Sequence, residues 1–488
     1  MSRHFLAFDL GAESGRAILG ALRAGVLTLT EVCRFPNSAV LVNGSLHWDV
    51  LRLWSEIRRS LDGLRGGSVD SIGLDTWGCD YGLIGWDGGL LENPYHYRDR
   101  RTDGIMPVVL QRVSRDRIYA STGTQFMALN TLFQLYAACQ STPRLLDAAK
   151  ALVMMPDLFN YWLTGRLSTE YSIASTTQLV DPRARSWATD LIADLDLPAR
   201  LFLPLVEPGT TLGELQRDVS GALAGTPVVA PACHDTGSAF AAVRPDGGVF
   251  LSSGTWSLFG AEVNAPVITP KARDLDFTNE GGVCGTTRLL KNIAGLWLLQ
   301  SCVKAWAEAG HTLAYDELLA AAGREPQAFR SLIDPDHSAF FNPTDMPDAI
   351  AAFCRQTAQP EPDGPAGYTR AILESLAFKY RATLESIEEL TGARYTQIRI
   401  VGGGSRNRLL NQFTADATGR LVVAGPVEAT ALGNIAMQML AMGAVASLDE
   451  ARSVIDHSFP SERFEPVDTD RWARQYQRFR NYTNTANT

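Results

Sequence analysis

The chain has 488 residues, more than one hydrophobic core ordinarily supports, so two or more domains are expected. A composition of 45% hydrophobic and 20% charged residues is that of a globular protein, and no segment is of low complexity. The formal net charge of −9 argues against a nucleic-acid partner, which needs clustered positive charge to displace counterions.

Taken in order, the first third reads as short strands followed by a helix. Phe5 to Leu10 is an apolar strand, a small-residue turn comes next, and Ala17–Leu22 and Val26–Val32 are further strands. Trp48 to Leu64 carries Val50, Leu53, Trp54, Ile57, Leu61 and Leu64 at helical spacing. Ser71–Asp75 is again strand-like and ends in Asp75-Thr76-Trp77-Gly78. From Arg101 to Pro227 the pattern is largely helical, and Val228–Pro231 is a short strand leading into Cys233-His234-Asp235-Thr236-Gly237-Ser238. The turn-forming run Arg244-Pro245-Asp246-Gly247-Gly248 marks a domain boundary, giving residues 1–244 and 245–488. Beyond it the chain makes a second start: strand Val249–Ser253, turn Gly254-Thr255, strand Trp256–Val263. A long helix from about Tyr368 to Leu390 stops at Gly392. Strand Ile398–Val401, loop Gly402-Gly403-Gly404, a helix from about Arg406 to Thr418 and strand Leu421–Val423 come next. The last eight residues, NYTNTANT, are expected to fray. The repeated hairpin suggests two related α/β domains facing a cleft.

Several clusters carry chemistry. In Asp9-Leu10-Gly11-Ala12-Glu13-Ser14-Gly15-Arg16 a strand delivers one carboxylate, and small residues then bring backbone N–H groups within reach of phosphate oxygens. Arg16 adds a charge-assisted donor, and Asp9 suits magnesium held through water. On its own the segment fits an ordinary hairpin equally well. Ser252-Ser253-Gly254-Thr255-Trp256-Ser257 repeats the arrangement without formal charge, so the pair makes a two-sided clamp for a triphosphate. An acidic chain that handles phosphates must gather positive potential in this local way. Gly402-Gly403-Gly404-Ser405-Arg406-Asn407 is no dinucleotide fingerprint, because Asn407 replaces the third glycine and Ala424-Gly425-Pro426 ends the next strand where a carboxylate is needed. No Walker A loop is present. Asp235 opens a helix beside His234 and, taken alone, reads as a helix cap. Cys233-His234 lacks a third group and is no nucleophilic pair. The polar clusters Asp75 to Asp80 and Arg98-Asp99-Arg100-Arg101 suit a polyol or, equally, solvated loops.

Together these segments resemble the FGGY carbohydrate kinases, in order and along nearly the whole chain. DLGAESGR, DTWGCDYGL, YRDRRT, NTLFQL, MPDLFNYWLTG, TTQLVD, HDTGSA, LSSGTWSL, TNEGG, LKNIAGLWLLQ, IVGGGSRNRLLNQ and GPVEATALGN carry the resemblance. It implies two ribonuclease-H-like domains of the actin-like ATPase type, with ATP and a sugar in the cleft between them. It implies ATP contacts at Ala12, Glu13, Ser14, Gly15, Arg16, Thr255, Gln300 and Gly403. Sugar contacts fall on Gly78, His234, Asp235, Thr236 and Asn292, with Asp235 as catalytic base and Asp9 as the magnesium position. Glu13 departs from expectation by placing a carboxylate in a loop that should face phosphate. DTWG, HDT and LKNIAGLWLLQ point to the branch that phosphorylates L-rhamnulose at O1. A kinase of another ketose, such as L-fuculose or L-xylulose, is the alternative. A scaffold or chaperone ATPase is a remote second, since it has no use for DTWG and YRDRR beside a base at HDT.

A cytoplasmic monomer or homodimer is expected, with no membrane partner. No run reaches the roughly 18 apolar residues of a membrane span, and the N-terminus is too polar after Leu10 for a signal peptide. Seven scattered cysteines without a C-x-x-C pair speak against zinc and dithiol chemistry.

Overall fold

The computed structural model describes residues 2–64, 67–341 and 343–483. They form two compact units. The first holds the chain up to Arg244 together with Glu262–Leu289 and Ala429–Phe459; the second holds Pro245–Ala261, Leu290–Glu428 and the residues from Pro460 onward. Two later segments thus fold with the N-terminal residues rather than with their sequence neighbours.

The first unit is built on a six-stranded sheet. Its strands are β1 (Arg3–Leu10), β2 (Ser14–Arg23), β3 (Val26–Pro36), β4 (Ser71–Thr76), β5 (Thr210–Glu214) and β6 (Pro227–Ala230), in the spatial order β5-β6-β4-β1-β2-β3. β1 runs antiparallel to β2 and parallel to β4, which is in turn parallel to β6. Residues 5–10 of β1 are buried on both faces, which explains its near-continuous apolar sequence. One face meets helix α1 (Val50–Gly63), whose Val50, Leu53, Ile57 and Leu61 join Leu6, Phe8 and Leu10 in one core. The Asp49 side chain caps α1 by accepting from the Arg52 amide. Helix α2 (Asp235–Ala241) comes after β6.

The second unit repeats the plan. β7 (Gly248–Ser253) is antiparallel to β8 (Trp256–Val263) and parallel to β9 (Gln397–Val401); β9 is parallel to β10 (Leu421–Ala424), and β10 is antiparallel to β11 (Glu462–Phe464). The pairing β2-β1-β4-β6-β5 in the first unit has the same directions, so both sheets are ribonuclease-H-like. Helix α3 (Gly364–Thr391) stops where Gly392 adopts φ 67°. Helix α4 (Arg408–Thr418) starts two residues later than its sequence pattern, because the Asn407 side chain caps it and 403–406 form a 3₁₀ turn. In the first unit, helix α5 (Ala429–Ala441) covers the face of β1 and β4 opposite α1.

The stretch from Arg101 to Pro227 contains helices but also strand Ala149–Met154, paired antiparallel with Tyr81–Gly85. Of the segment expected to fray, Asn481 to Thr483 end a helix that begins at Thr469, and Asn484 to Thr488 lie outside the described residues. No helix among the described residues is long and apolar enough to cross a membrane. All seven cysteines are free.

Candidate active site

Three carboxylates gather at the carboxyl ends of adjacent parallel strands in the first unit. Asp9 on β1 lies directly across from Asp75 on β4, and Thr76 bridges to His234, one residue before Asp235. Equal register in a parallel pair puts Asp9 and Asp75 on the same face of the sheet. Asp75 is fully buried there, and its Oδ2 accepts from Asn434 Nδ2 of α5 at 2.6 Å. Asn434 Oδ1 accepts in turn from Gln438 one turn on, and Gln438 bonds the Leu6 carbonyl and Ser71 Oγ. Asp75 Oδ1 has no hydrogen-bond partner among the described residues. Burial, then the nearby Asp9 charge, push the Asp75 carboxyl well above the usual carboxylate range, while the Asn434 bond opposes them. Asp9 Oδ2 accepts two bonds from Arg16, at 2.9 and 2.6 Å.

The turn joining β1 to β2 is closed by Gly11 N–H donating to Ser14 O at 2.9 Å. Asn37 secures it from outside: its side chain donates to Gly11 O and its backbone N–H to Glu13 O. A Cβ on Gly15 would lie 2.2 Å from the Phe35 ring, so no larger residue fits between hairpin and core. Glu13 is exposed.

His234 occupies the N-cap position of α2, without a capping bond from its side chain, and Asp235 is the first helical residue. Asp235 Oδ1 accepts from Thr236 N–H and, at 3.0 Å, from Thr236 Oγ1. Its side chain is 28% exposed and lies 3.6 Å from His234 Nε2. Burial raises its pKa, His234 opposes, and the Asp9 charge raises it further. The backbone entering α2 is clamped by Glu170, whose Oε2 accepts from Cys233 N–H at 3.1 Å, and by Ser172 Oγ, which accepts from His234 N–H. Glu170 also accepts from Ser172 N–H, Ser172 Oγ and Ile173 N–H. Behind His234 lie Glu280, 3.1 Å from Nδ1, and Arg288, 3.2 Å from the same atom.

The segment that carries Gly78 rests on an aromatic frame. Asp80 is fully buried: Oδ2 accepts from Trp48 Nε1 at 2.6 Å, Trp77 Nε1 at 3.0 Å and the Tyr97 amide at 3.2 Å, and Oδ1 from Gln134 Nε2 at 2.8 Å. Asp99 accepts from the Leu46 and Arg101 amides, and Arg101 donates to Gln134. These polar side chains therefore brace the frame. Burial lifts Asp80 to about 6 against its donors. Because the folded chain holds that proton more tightly than the unfolded one, the stability contributed is fully present below an unfolded value of about 3.9 and is lost as pH rises through about 6. Asp80→Asn offers one acceptor where two are needed, and is expected to cost about 1–3 kcal/mol. The gap between wild type and variant in thermal unfolding should be wider at about pH 5 than at about pH 8. A gap that widens toward alkaline pH would contradict the assignment.

In the second unit the turn Gly254-Thr255 between β7 and β8 is held by backbone bonds. Gly295 and Trp297 N–H both donate to Thr255 O at 3.1 Å, and Leu296 N–H donates to Gly254 O at 2.9 Å. A Cβ on Gly295 would stand 2.7 Å from the Trp256 carbonyl carbon, and one on Gly404 would stand 2.0 Å from Ser253 Oγ. Ser257 Oγ meets the Tyr380 hydroxyl at 2.7 Å. Gly403 is exposed, and a Cβ there would meet nothing within 4 Å among the described residues. Gln300 is exposed on helix Trp297–Glu308, and Asn292 lies on strand Thr287–Ala294.

Residues 4–242 match the N-terminal domain, and 249–442 the C-terminal domain, of the FGGY family of carbohydrate kinases. The chain belongs to that family. The kinase is 45% identical to a rhamnulokinase of Bacteroides thetaiotaomicron over 99% of both chains. It is 42% identical to one of Pectobacterium carotovorum over 98% of this chain and 96% of that one, and 39% to one of Oceanobacillus iheyensis over 93% and 96%. Among solved structures it is similar to a gluconate kinase of Lactobacillus acidophilus, with TM-score 0.82, 16% identity and coverage of 100% and 99%. A xylulose kinase of the same organism gives TM-score 0.80, 15% identity and coverage of 99% and 98%.

Of the residues expected at the site, Asp9, Ala12, Glu13, Ser14, Gly15, Arg16, Gly78, His234, Asp235 and Thr236 belong to the first unit. Thr255, Asn292, Gln300 and Gly403 belong to the second. The sequence reading of this kinase missed Asn37, Glu170, Glu280, Arg288 and Asn434. Only Asn434 left a local signal: with Gln438 it puts two amides one turn apart in an otherwise apolar helix, and buried amides must find partners.

Proposed function

We propose that the kinase transfers the γ-phosphoryl group of ATP to O1 of L-rhamnulose, giving L-rhamnulose 1-phosphate and ADP. The observation that carries this reading is the near-full-length likeness to relatives named rhamnulokinase, in a chain that sets Asp235 beside the carboxyl ends of β1 and β4. Residues 1–244 supply the sugar contacts Gly78, His234 and Thr236 and the base; residues 245–488 supply Asn292 and the nucleotide contacts Thr255, Gln300 and Gly403. The turn from Ala12 to Arg16 adds phosphate contacts.

The O1 oxygen attacks the γ-phosphorus as its bond to the β-bridging oxygen breaks, and the hydroxyl proton passes to Asp235. Such a transition state is loose, so alignment and charge neutralisation count for more than base strength. Backbone N–H groups of the two turns supply fixed dipoles without net positive charge. Among the described residues no three or more His, Cys, Asp or Glu side chains stand close enough to grip an ion directly. Magnesium beside a nucleotide usually keeps its waters and takes one or two carboxylates, and Asp9, next to the unpartnered Asp75 Oδ1, fits that role. When bound, the ion neutralises charge on the β- and γ-phosphates. The free cysteines accord with a cytoplasmic setting.

A coupled ADP-release assay across L-rhamnulose, L-fuculose and L-xylulose tests the reading. L-Rhamnulose should give a kcat/KM at least about tenfold above the others. A higher value with another ketose would overturn it.

A further inference from the structure

The motif that opens with Thr176, TTQLVD, has no part in the chemistry above. The short stretch around it nevertheless grips both segments that carry sugar contacts in the first unit. At one end Glu170 and Ser172 hold the backbone N–H groups of Cys233 and His234. At the other, in the 3₁₀ turn Ser175–Thr177, the buried Thr176 reaches Cys79. Its Oγ1 accepts from Cys79 N–H at 3.0 Å and donates to Ile173 O at 2.8 Å. Cys79 needs that grip. Asp80 N–H donates to Gly78 O at 2.9 Å, two residues back, and Cys79 between them has φ 71°. This is the γ-turn in its rare form, strained wherever the middle residue carries a side chain. Such strain persists only where the surroundings over-determine it. Here Cys79 O also accepts from Thr131 Oγ1 at 2.5 Å, and Cys79 Sγ lies 3.5 Å from Thr176 O. The next residue, Asp80, is fixed by its four donors. The turn occupies the Gly78 carbonyl and leaves the half-buried Gly78 N–H without a partner among the described residues.

We propose that Thr176 is a positioning residue for the acceptor sugar: it holds Cys79 in the strained turn and so keeps the Gly78 N–H presented as a donor to a sugar oxygen. The proposal rests on the reading that places Gly78 among the sugar contacts. Thr176 also packs against that residue, since a Cβ on Gly78 would stand 3.1 Å from Thr176 Cγ2. The same stretch clamps the entry to α2, and Thr76 N–H donates to Cys233 O at 2.9 Å. The two sugar-binding segments are therefore mounted on one support within one compact unit. A donor fixed before the sugar arrives costs no ordering when it binds, which favours affinity for the acceptor. Released from Thr176, Cys79 would leave the left-handed region, and the Gly78 N–H would turn with it.

Thr176→Val keeps the shape of the side chain but offers the Cys79 N–H no acceptor. Steady-state kinetics are measured with whichever ketose gives the highest kcat/KM in the panel, so the test holds for any acceptor that the panel selects. KM for the ketose should rise about tenfold or more, while KM for ATP stays within about twofold and reports a folded enzyme. Thr176→Ser retains the hydroxyl and should hold the ketose KM within about threefold of wild type. Adding Cys79→Gly to Thr176→Val should recover at least about threefold of the lost KM, because glycine adopts a positive φ without strain. A ketose KM within about twofold of wild type in Thr176→Val would overturn the proposal. So would an equal rise in both KM values, or a double variant no better than Thr176→Val. Gly78→Ala separates the proposal from the reading beneath it. If Gly78→Ala raises the ketose KM and Thr176→Val does not, only the positioning role is lost. If neither variant raises it, Gly78 leaves the sugar site and the proposal falls with it.

Discussion

Asp235→Asn is expected to leave a folded protein that still binds ATP but turns over roughly 10²–10⁴-fold more slowly. The amide has the carboxylate's shape, and its oxygen can still accept from Thr236 N–H and Oγ1, so the start of α2 keeps its bonds. What it cannot do is take the hydroxyl proton. Stability should hold or rise: burial and the Asp9 charge both work against an ionised Asp235, and the neutral amide removes that conflict. The raised pKa has a second consequence. The base must be ionised to act, so kcat/KM in wild type should fall on the acid side at a pH above the ordinary Asp value of about 3.9. The coupled assay, nucleotide titration and thermal unfolding check the three parts separately. Turnover within about threefold of wild type would remove Asp235 from the role of base.

The site was legible where its chemistry is local. DLGAESGR showed a carboxylate and a phosphate turn because strand, small residues and arginine are consecutive, and the structure closes that turn with a bond from Gly11 to Ser14. The hairpin at Val249–Val263 was readable as a repeat of it, and the identical strand pairing of the two sheets bears that out. Illegible were the groups that reach the site through the fold. Glu170, Glu280 and Arg288 stand 46 to 64 residues from the segment they hold, with no periodicity to link them to it. Strand Ala149–Met154 was hidden for a different reason: a short apolar run among helices has the pattern of a buried helix segment, and only its pairing with Tyr81–Gly85 decides the matter. The polar clusters around Asp80 and Asp99 were visible, but their role was not. Composition does not say whether a carboxylate faces a ligand or, as Asp80 does, two indole N–H groups.

Gly433→Ala is expected to lower the unfolding midpoint by about 3–10 °C and to cut kcat by about tenfold or more. Gly433 lies where α5 crosses α2. A Cβ there would stand 1.7 Å from Ser238 O and 2.6 Å from the Ser238 carbonyl carbon, both backbone atoms that no rotamer change can move aside. The helices must separate, and overpacking of this kind typically costs about 1–3 kcal/mol. The displaced helix is the one that begins with Asp235. Ser238 also ties it to the segment that enters it, its N–H donating to the N-cap His234 O at 3.0 Å and its Oγ to Ala232 O at 2.7 Å. On α5 the next residue is Asn434, which holds the Asp75 carboxyl at 2.6 Å. One methyl group thus strains the mounting of two carboxylates that the sheet otherwise fixes by register. Gly63→Ala is the control: a Cβ there would meet nothing within 4 Å among the described residues, so kcat should not move and the midpoint should hold or rise slightly, as for a glycine replaced within a helix. If Gly433→Ala matches that control in midpoint and in kcat, the α2–α5 crossing is looser than the distances require, and the position of Asp235 must be set by the Glu170 and Ser172 clamp alone.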